Sequence, residues 1–338
     1  MEAKNCASST AFRLKARLGH ARLDYASGFT LMELMIALAL GLLIVAAGLA
    51  VVLSSQRSLG LQSGMGELQQ NANFGLSLIT HDLRHTNLNM ASEQRVNSYT
   101  TGSGIIFKKE NLPEALRTTT NLETKFVTLQ EHNVGNTTES NDQLTIQYMP
   151  STNHIFNCEG VDIATASSKT IVQRYYLAES PQQVTGEPTA YSLYCDAGYY
   201  ESGATTIIGL DTNAQQMMQR VDAFKVRLGV KNPAGNLRYM TINEYTTAMN
   251  TILNAASCSD KTASTCTDTF LNVISIDVGI LSRSTGTIGS EANLNTQNTF
   301  GLAGANVTLS GDAAVNKRYL RQAVNQVVAI RNTLGASE

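Results

Sequence analysis

The pattern of hydrophobic and polar positions changes character twice along the chain. From Phe29 to Leu53 it reads FTLMELMIALALGLLIVAAGLAVVL, with Glu33 as the one charged residue. At a rise of 1.5 Å per residue, about 20 apolar residues cross a hydrocarbon core, so residues 29–53 are predicted to form a transmembrane helix. Behind this run, Leu61, Met65, Leu68, Ala72, Leu76, Ile79 and Leu83 recur at steps of three and four, separated by Gln, Asn, Ser and charged residues. This period predicts that the helix continues as an amphipathic segment over 54–92, from Phe29 to about Met90 in all. Gly60, Gly64 and Gly66 each weaken its middle by about 1 kcal/mol relative to alanine. Either a kinked turn or a frayed start follows from them.

From about Tyr99 the period shortens to two. Alternation is clearest at Leu144, Ile146 and Tyr148, at Phe224, Val226, Leu228 and Val230, and at Ile274, Ile276, Val278 and Ile280. Weaker strands are predicted at Gly104–Lys108, Lys125–Gln130, Ile171–Ala178 and Ala190–Cys195, and a short helix at Asn243–Ala256. The tracts Ser257–Thr269 and Thr285–Asp312 are rich in Ser, Thr, Asn and Gly and read as surface loops without a core of their own. The order gives an α+β fold, with a long N-terminal helix packed on an antiparallel β-sheet head over 93–338.

With 338 residues, 43% of them hydrophobic, the chain is long enough for one large or two ordinary domains. Its net charge of −2 is unevenly spread. Lys4, Arg13, Lys15, Arg17 and Arg22 precede the apolar run, against Glu2 and Asp24. Basic residues before a span stay in the cytoplasm, so everything after Leu53 is expected across the membrane. The acidic remainder offers no cluster of Lys and Arg for a nucleic-acid backbone, and no specific nucleic-acid site is evident.

Cys6 lies in the basic segment; Cys158, Cys195, Cys258 and Cys266 lie in the head. An even number without a C-x-x-C pair suits two disulfides in an oxidising compartment. Three pairings are possible. Cys158 with Cys195 and Cys258 with Cys266 is preferred because each closes a modest loop between sequence neighbours.

Little in the chain suggests catalysis. There is no Walker loop, dinucleotide fingerprint or nucleophile elbow, and Asp211, Asp260 and Asp312 form no EF-hand series. His81 and His85 share a helical face in HDLRH, yet an Asp stands where the zinc-protease pattern needs Glu, and His132 and His154 have no ligand-like spacing. A solvated helical face is the simpler reading. No metal, cofactor or catalytic residue is expected.

Glu33 is the informative residue, because a carboxylate inside a span costs about 2.5 to 3.5 kcal/mol on insertion scales and needs a partner. It belongs to GFTLMEL, Gly28 to Leu34, which precedes the apolar run, whereas a secretory signal has its cleavage site behind that run. This stretch resembles the prepilin cleavage and methylation motif. The resemblance implies that residues 1–28 are a cytoplasmic leader, removed by a prepilin peptidase after Gly28, and that Phe29 becomes an N-methylated terminus. It also implies that Glu33 pairs with the amine of a neighbouring Phe29 in a filament. Further on, the segments DQLTIQYM, VDAFKVRLGV and KRYLRQAVNQVVAIRN, with Arg331 and Asn332 near its end, resemble the PilW family of minor pilins; Ile79, Asp82, Leu83 and Arg84 match a family pattern in part.

That resemblance implies a minor pilin that initiates or caps a type IV pilus and serves pilus biogenesis, twitching motility, adhesion or DNA uptake. Its implied partners are other minor and major pilins, the peptidase, the inner-membrane assembly platform, the lipid bilayer and a PilY-like tip adhesin. It is implied to sit in the inner membrane before assembly, head in the periplasm, and in the pilus at the cell surface afterwards. A pseudopilin of a type II secretion system would share the N-terminus and fold and differ in genome neighbourhood. A surface enzyme using His81 and His85 would carry stoichiometric zinc, and a DNA-binding tip would give a salt-dependent gel shift.

Overall fold

The computed structural model describes residues 28–90, 95–118, 122–132, 134–150, 156–163, 168–287, 297–315 and 318–331. Cys6, the basic residues of the leader, His154, Lys317 and Asn332 lie outside the described residues. The chain divides into two units, with the boundary between Ser55 and Gln56. Helix α1 (Leu31–Leu83) runs through both.

In the first unit every residue of α1 is exposed. This part is apolar on all sides, as a helix surrounded by lipid must be. In the second unit the predicted stripe begins to bury at Leu68 and continues through Ala72, Gly75, Ile79 and Leu83. The helix passes Gly60, Gly64 and Gly66 without interruption. It ends at Leu83, short of the Met90 expected from the period. Asn87 and Asn89 explain this end: both have positive φ (65° and 54°), a conformation that asparagine tolerates and a helix cannot use. Asn87 then fastens the chain to the head, donating its N–H to Gln147 O and accepting from Gly104 N through Oδ1.

Among the described residues the head has two main antiparallel sheets, of five and four strands, beside a two-stranded hairpin, where the sequence suggested one sheet. The first has the order β1 (Leu129–His132), β2 (Asn141–Tyr148), β3 (Thr170–Glu179), β4 (Tyr191–Tyr200), β5 (Gln215–Gln219). The second is built from β6 (Val221–Lys231), β7 (Leu237–Thr241), β8 (Asn272–Arg283) and β11 (Arg321–Ala329), in the order β7-β6-β8-β11. A short helix α2 (Leu122–Lys125) precedes β1, and α3 (Ile242–Leu253) follows β7. Thr241 and Glu244 form a reciprocal capping box at the start of α3.

One large core joins these parts. Ile79 and Leu83 of α1 meet Leu144 and Ile146 of β2, Tyr175 and Leu177 of β3, Phe224 and Val226 of β6, Ile276 and Val278 of β8, and Tyr245 and Met249 of α3. The alternation seen in sequence thus marks the inward faces of both sheets. A smaller cluster holds Ile106, Leu112, Leu116, Val127 and Val172 under the loops before β1. There the expected strand Gly104–Lys108 is reduced to one bridge, Ile105 to Ile146, and of the expected Lys125–Gln130 only the end enters β1.

The tract Thr285–Asp312, expected as a surface loop, is corrected by the structure. It contains the hairpin β9 (Thr299–Leu302) and β10 (Ala305–Thr308), whose two-residue turn places Ala303 and Gly304 at positive φ (45° and 73°). Such a turn suits the twist of a hairpin. Phe300, Leu302, Val307 and Leu309, with Ala313 of α5 (Gly311–Val315), pack on Ala223 of β6 and Leu281 of β8. Close approach needs Gly279, where an added Cβ would stand 2.6 Å from Ala303 N. The second polar tract, Ser257–Thr269, holds α4 (Ser264–Thr267) and a short 3-10 turn, and it buries both of its cysteines.

Candidate functional site

Gly28 to Glu33 form a helix start whose polar groups are all local. Leu34 N donates to Thr30 O at 3.2 Å, the first turn of α1. Thr30 donates to Glu33 Oε2 through its backbone N at 2.9 Å and its hydroxyl at 3.0 Å, and Glu33 N donates to Thr30 Oγ1 at 3.2 Å. This is a capping box, in which a Thr and the Glu three residues on satisfy each other's backbone N–H groups. Both residues lie in GFTLMEL, three positions apart as a capping box requires. Among the described residues, Oε1 of Glu33 carries no hydrogen bond. One oxygen of Glu33 thus closes its own helix, and the side chain of Phe29 beside it is exposed.

The cysteines are paired. Cys158 is bonded to Cys195 of β4, with Cα atoms 6.1 Å apart, and Cys258 to Cys266, with Cα atoms 4.6 Å apart. The first bond ties the segment around Phe156–Asp162 to the edge of the large core. The second closes the turn in front of Phe270, which stacks edge-on against Tyr99 at 5.9 Å.

His81 and His85 do stand together, ring centroids 5.1 Å apart. Among the described residues no group of three His, Cys, Asp or Glu is placed to hold an ion. Asp82, between them, is drawn into the head, where Tyr175 donates its hydroxyl to Oδ2 at 2.9 Å, while Oδ1 lies 3.4 Å from His81 Nδ1. His85 lies 5.8 Å from the Tyr148 ring, and burial together with the neighbouring His81 holds its imidazole below the usual range. His81 is exposed and His85 half-buried, while Ile79, Asp82 and Leu83 of the same turns anchor α1 in the head. His132 lies at the end of β1.

Two buried ionic clusters had no local sequence signal. Arg174 on β3 bonds Asp196 on β4 at 2.7 Å and reaches Asp211 at 3.3 Å, between the rings of Phe126 and Tyr176. Asp222 on β6 takes Arg321 of β11 at 2.7 Å and Arg283 of β8 at 3.4 Å. Each pins strands of one sheet from its side. Between the lower half of α1, the end of β5 and the end of β8 lies a cleft of about 430 Å³, lined by Glu67, Asn71, Phe74, Gln219, Arg283 and Thr285. Asn71 donates to Gln219 O and Thr285 to the Glu67 carboxylate, latching this part of the helix to the head.

Two family models match the chain. A family model described as Type IV Pilus-assembly protein W, PilW, matches residues 174–332, from β3 through β11. A second, described as the prokaryotic N-terminal methylation motif, matches residues 24–49. No curated protein sequence matches the chain. Among solved structures, a type IV-like pilin from Thermus thermophilus is 12% identical, with 79% of this chain and 98% of that chain covered and a TM-score of 0.34, a likeness too loose to carry argument. A prokaryotic N-terminal methylation motif on an exposed apolar helix, followed by a region over residues 174–332 that matches the PilW model and is folded as α+β, makes this a type IV pilin-like chain.

Proposed function

We propose that the chain is a minor pilin, processed after Gly28, methylated at Phe29 and assembled into a type IV pilus, where it initiates or caps the filament. The observation that carries this reading is Glu33, an acid retained in a span that otherwise has no charge, with one oxygen left over from its capping box. In the low dielectric of a filament core, the amine of a neighbouring Phe29 offsets this charge far better than water-exposed pairing would. The helix start is anchored in the inner membrane with the head in the periplasm, which suits the two disulfides. Other pilins, the peptidase, the assembly platform and a PilY-like tip adhesin are the partners this role requires. A head of this bulk suits a low-copy position better than one repeated along a thin fibre.

The capping box makes the test sharp. Glu33→Gln keeps an acceptor for the Thr30 donors but removes the charge; Thr30→Ala removes the cap but keeps the charge, at a cost of about 1 kcal/mol in helix stability. Immunoblots of sheared pilus and membrane fractions should show Thr30→Ala incorporated and Glu33→Gln stranded in the membrane. Incorporation of Glu33→Gln at the level of the unaltered chain would overturn the reading. Mass spectrometry of the mature N-terminus should find methylated Phe29.

A further inference from the structure

The strand start at Asn141 and Asp142 faces the edge of β6 before β7 joins it, and here the two sheets of the head meet through side chains. Asn141 accepts from Phe224 N through Oδ1, and Asp142 Oδ2 accepts from Val226 N at 2.7 Å. Between these two backbone donors lies Lys225, whose ammonium reaches back to Ser140 O and to Asp142 Oδ1, the latter at 3.5 Å. Both side chains are withdrawn from water, Lys225 to 10% and Asp142 to 3% exposure. Oδ1 is buried and has no hydrogen-bond partner among the described residues.

We propose that Lys225 and Asp142 condense to an intramolecular amide, an isopeptide bond that joins β2 of the first sheet to β6 of the second. The reaction balances without a co-reactant. A proton passes from the Lys225 ammonium to Oδ1, giving a neutral amine and a neutral carboxylic acid. The Nζ lone pair attacks Cγ, the N–C bond forms, and the Cγ–Oδ1 bond breaks. Oδ1 leaves as water with two of the three ammonium hydrogens, and the third stays on the amide nitrogen.

Three features favour the amide over a lasting ion pair. Holding amine and acid side by side replaces a bimolecular encounter by an oriented one, which is worth several orders of magnitude in rate. Val226 N–H already holds the oxygen that stays, where negative charge gathers in the tetrahedral intermediate. Burial opposes the ionised form of Asp142, so the neutral acid needed for the attack is accessible near neutral pH. Such a bond would carry load between the sheets in a molecule whose proposed role puts it in a filament under tension, but it depends only on the geometry of the head.

The test is the mass of the full chain, extracted in detergent and fully reduced, followed by a tryptic map. The expected result is a chain lighter by one water, with a branched peptide joining the Asp142 and Lys225 segments and no tryptic cleavage after Lys225. Lys225→Arg keeps the positive charge but yields no such amide, so its mass should equal that of its sequence. Separate Asp142 and Lys225 peptides in the unaltered chain, or fragment ions that place a cross-link elsewhere, would overturn the proposal. Because the decisive reading is made on the unaltered protein, a folding defect in the variant does not affect it.

Discussion

Individual residues in this chain serve more than one master. Glu33 was legible as an anomaly of composition, but its bond to Thr30 becomes visible only where the helix starts. Asn87 and Gly104 are a similar pair: the asparagine turns the chain out of α1, and the glycine lets the next segment pass beneath it. An added Cβ at Gly104 would lie 2.5 Å from Asn87 N and 2.6 Å from its Cα, against backbone that cannot step aside. Gly104→Ala should therefore destabilise the head by about 2 kcal/mol or more, read as a lower midpoint in denaturant unfolding. Asp142 belongs to this scale too. Burial raises its carboxyl to about 7, so the folded chain keeps a proton that an unfolded aspartic acid, with its pKa of about 3.9, has released. Stability from this group is complete below about pH 4 and is lost as pH rises through about 7. In a Lys225→Arg background, where the acid stays free, thermal midpoints should fall across that window. Adding Asp142→Asn should make the fall shallower; an unchanged slope would mean that other groups govern it.

At the level of elements, the periods of the sequence located the long strands and helix α3 but not the partners of each strand. β2, β3, β4, β6 and β8 coincide with the apolar runs because most of those positions are buried, although at the start of β8 Val273 and not Ile274 turns inward. β7 was missed because Leu237, Arg238 and Tyr239 are exposed, and β9 and β10 were missed because four residues give too short a period to see among Ser, Thr, Asn and Gly. The disulfides act on elements as loop closures. By chain entropy, the bond over 37 residues is worth about 4 kcal/mol and that over 8 residues about 2.5 kcal/mol. Replacing Cys158 and Cys195 by serine should thus lower the melting temperature more than replacing Cys258 and Cys266. The opposite order, seen by calorimetry, would point to the buried packing of the second pair as the larger effect.

For the molecule as a whole, the boundary between Ser55 and Gln56 separates a length of helix that buries nothing within the chain from a head with its own core. A fragment from Gln56 to Glu338 should remain in the supernatant after ultracentrifugation and melt cooperatively, while the full chain should require detergent. The fragment keeps the latches of Asn71 and Glu67 to the head, so its lower helix should stay folded; circular dichroism checks this. Hydrophobicity and local period are additive properties of neighbours in the chain, so the apolar span, its acid, the processing motif, the α+β class and most strands could be read from the sequence alone. The division into separate sheets, the hairpin over Gly279, the anchoring of Asp82 by Tyr175, and the meeting of Asp142 with Lys225 depend on contacts between residues far apart in sequence. Burial and pairing over such separations are set by packing, and only the folded structure decides them.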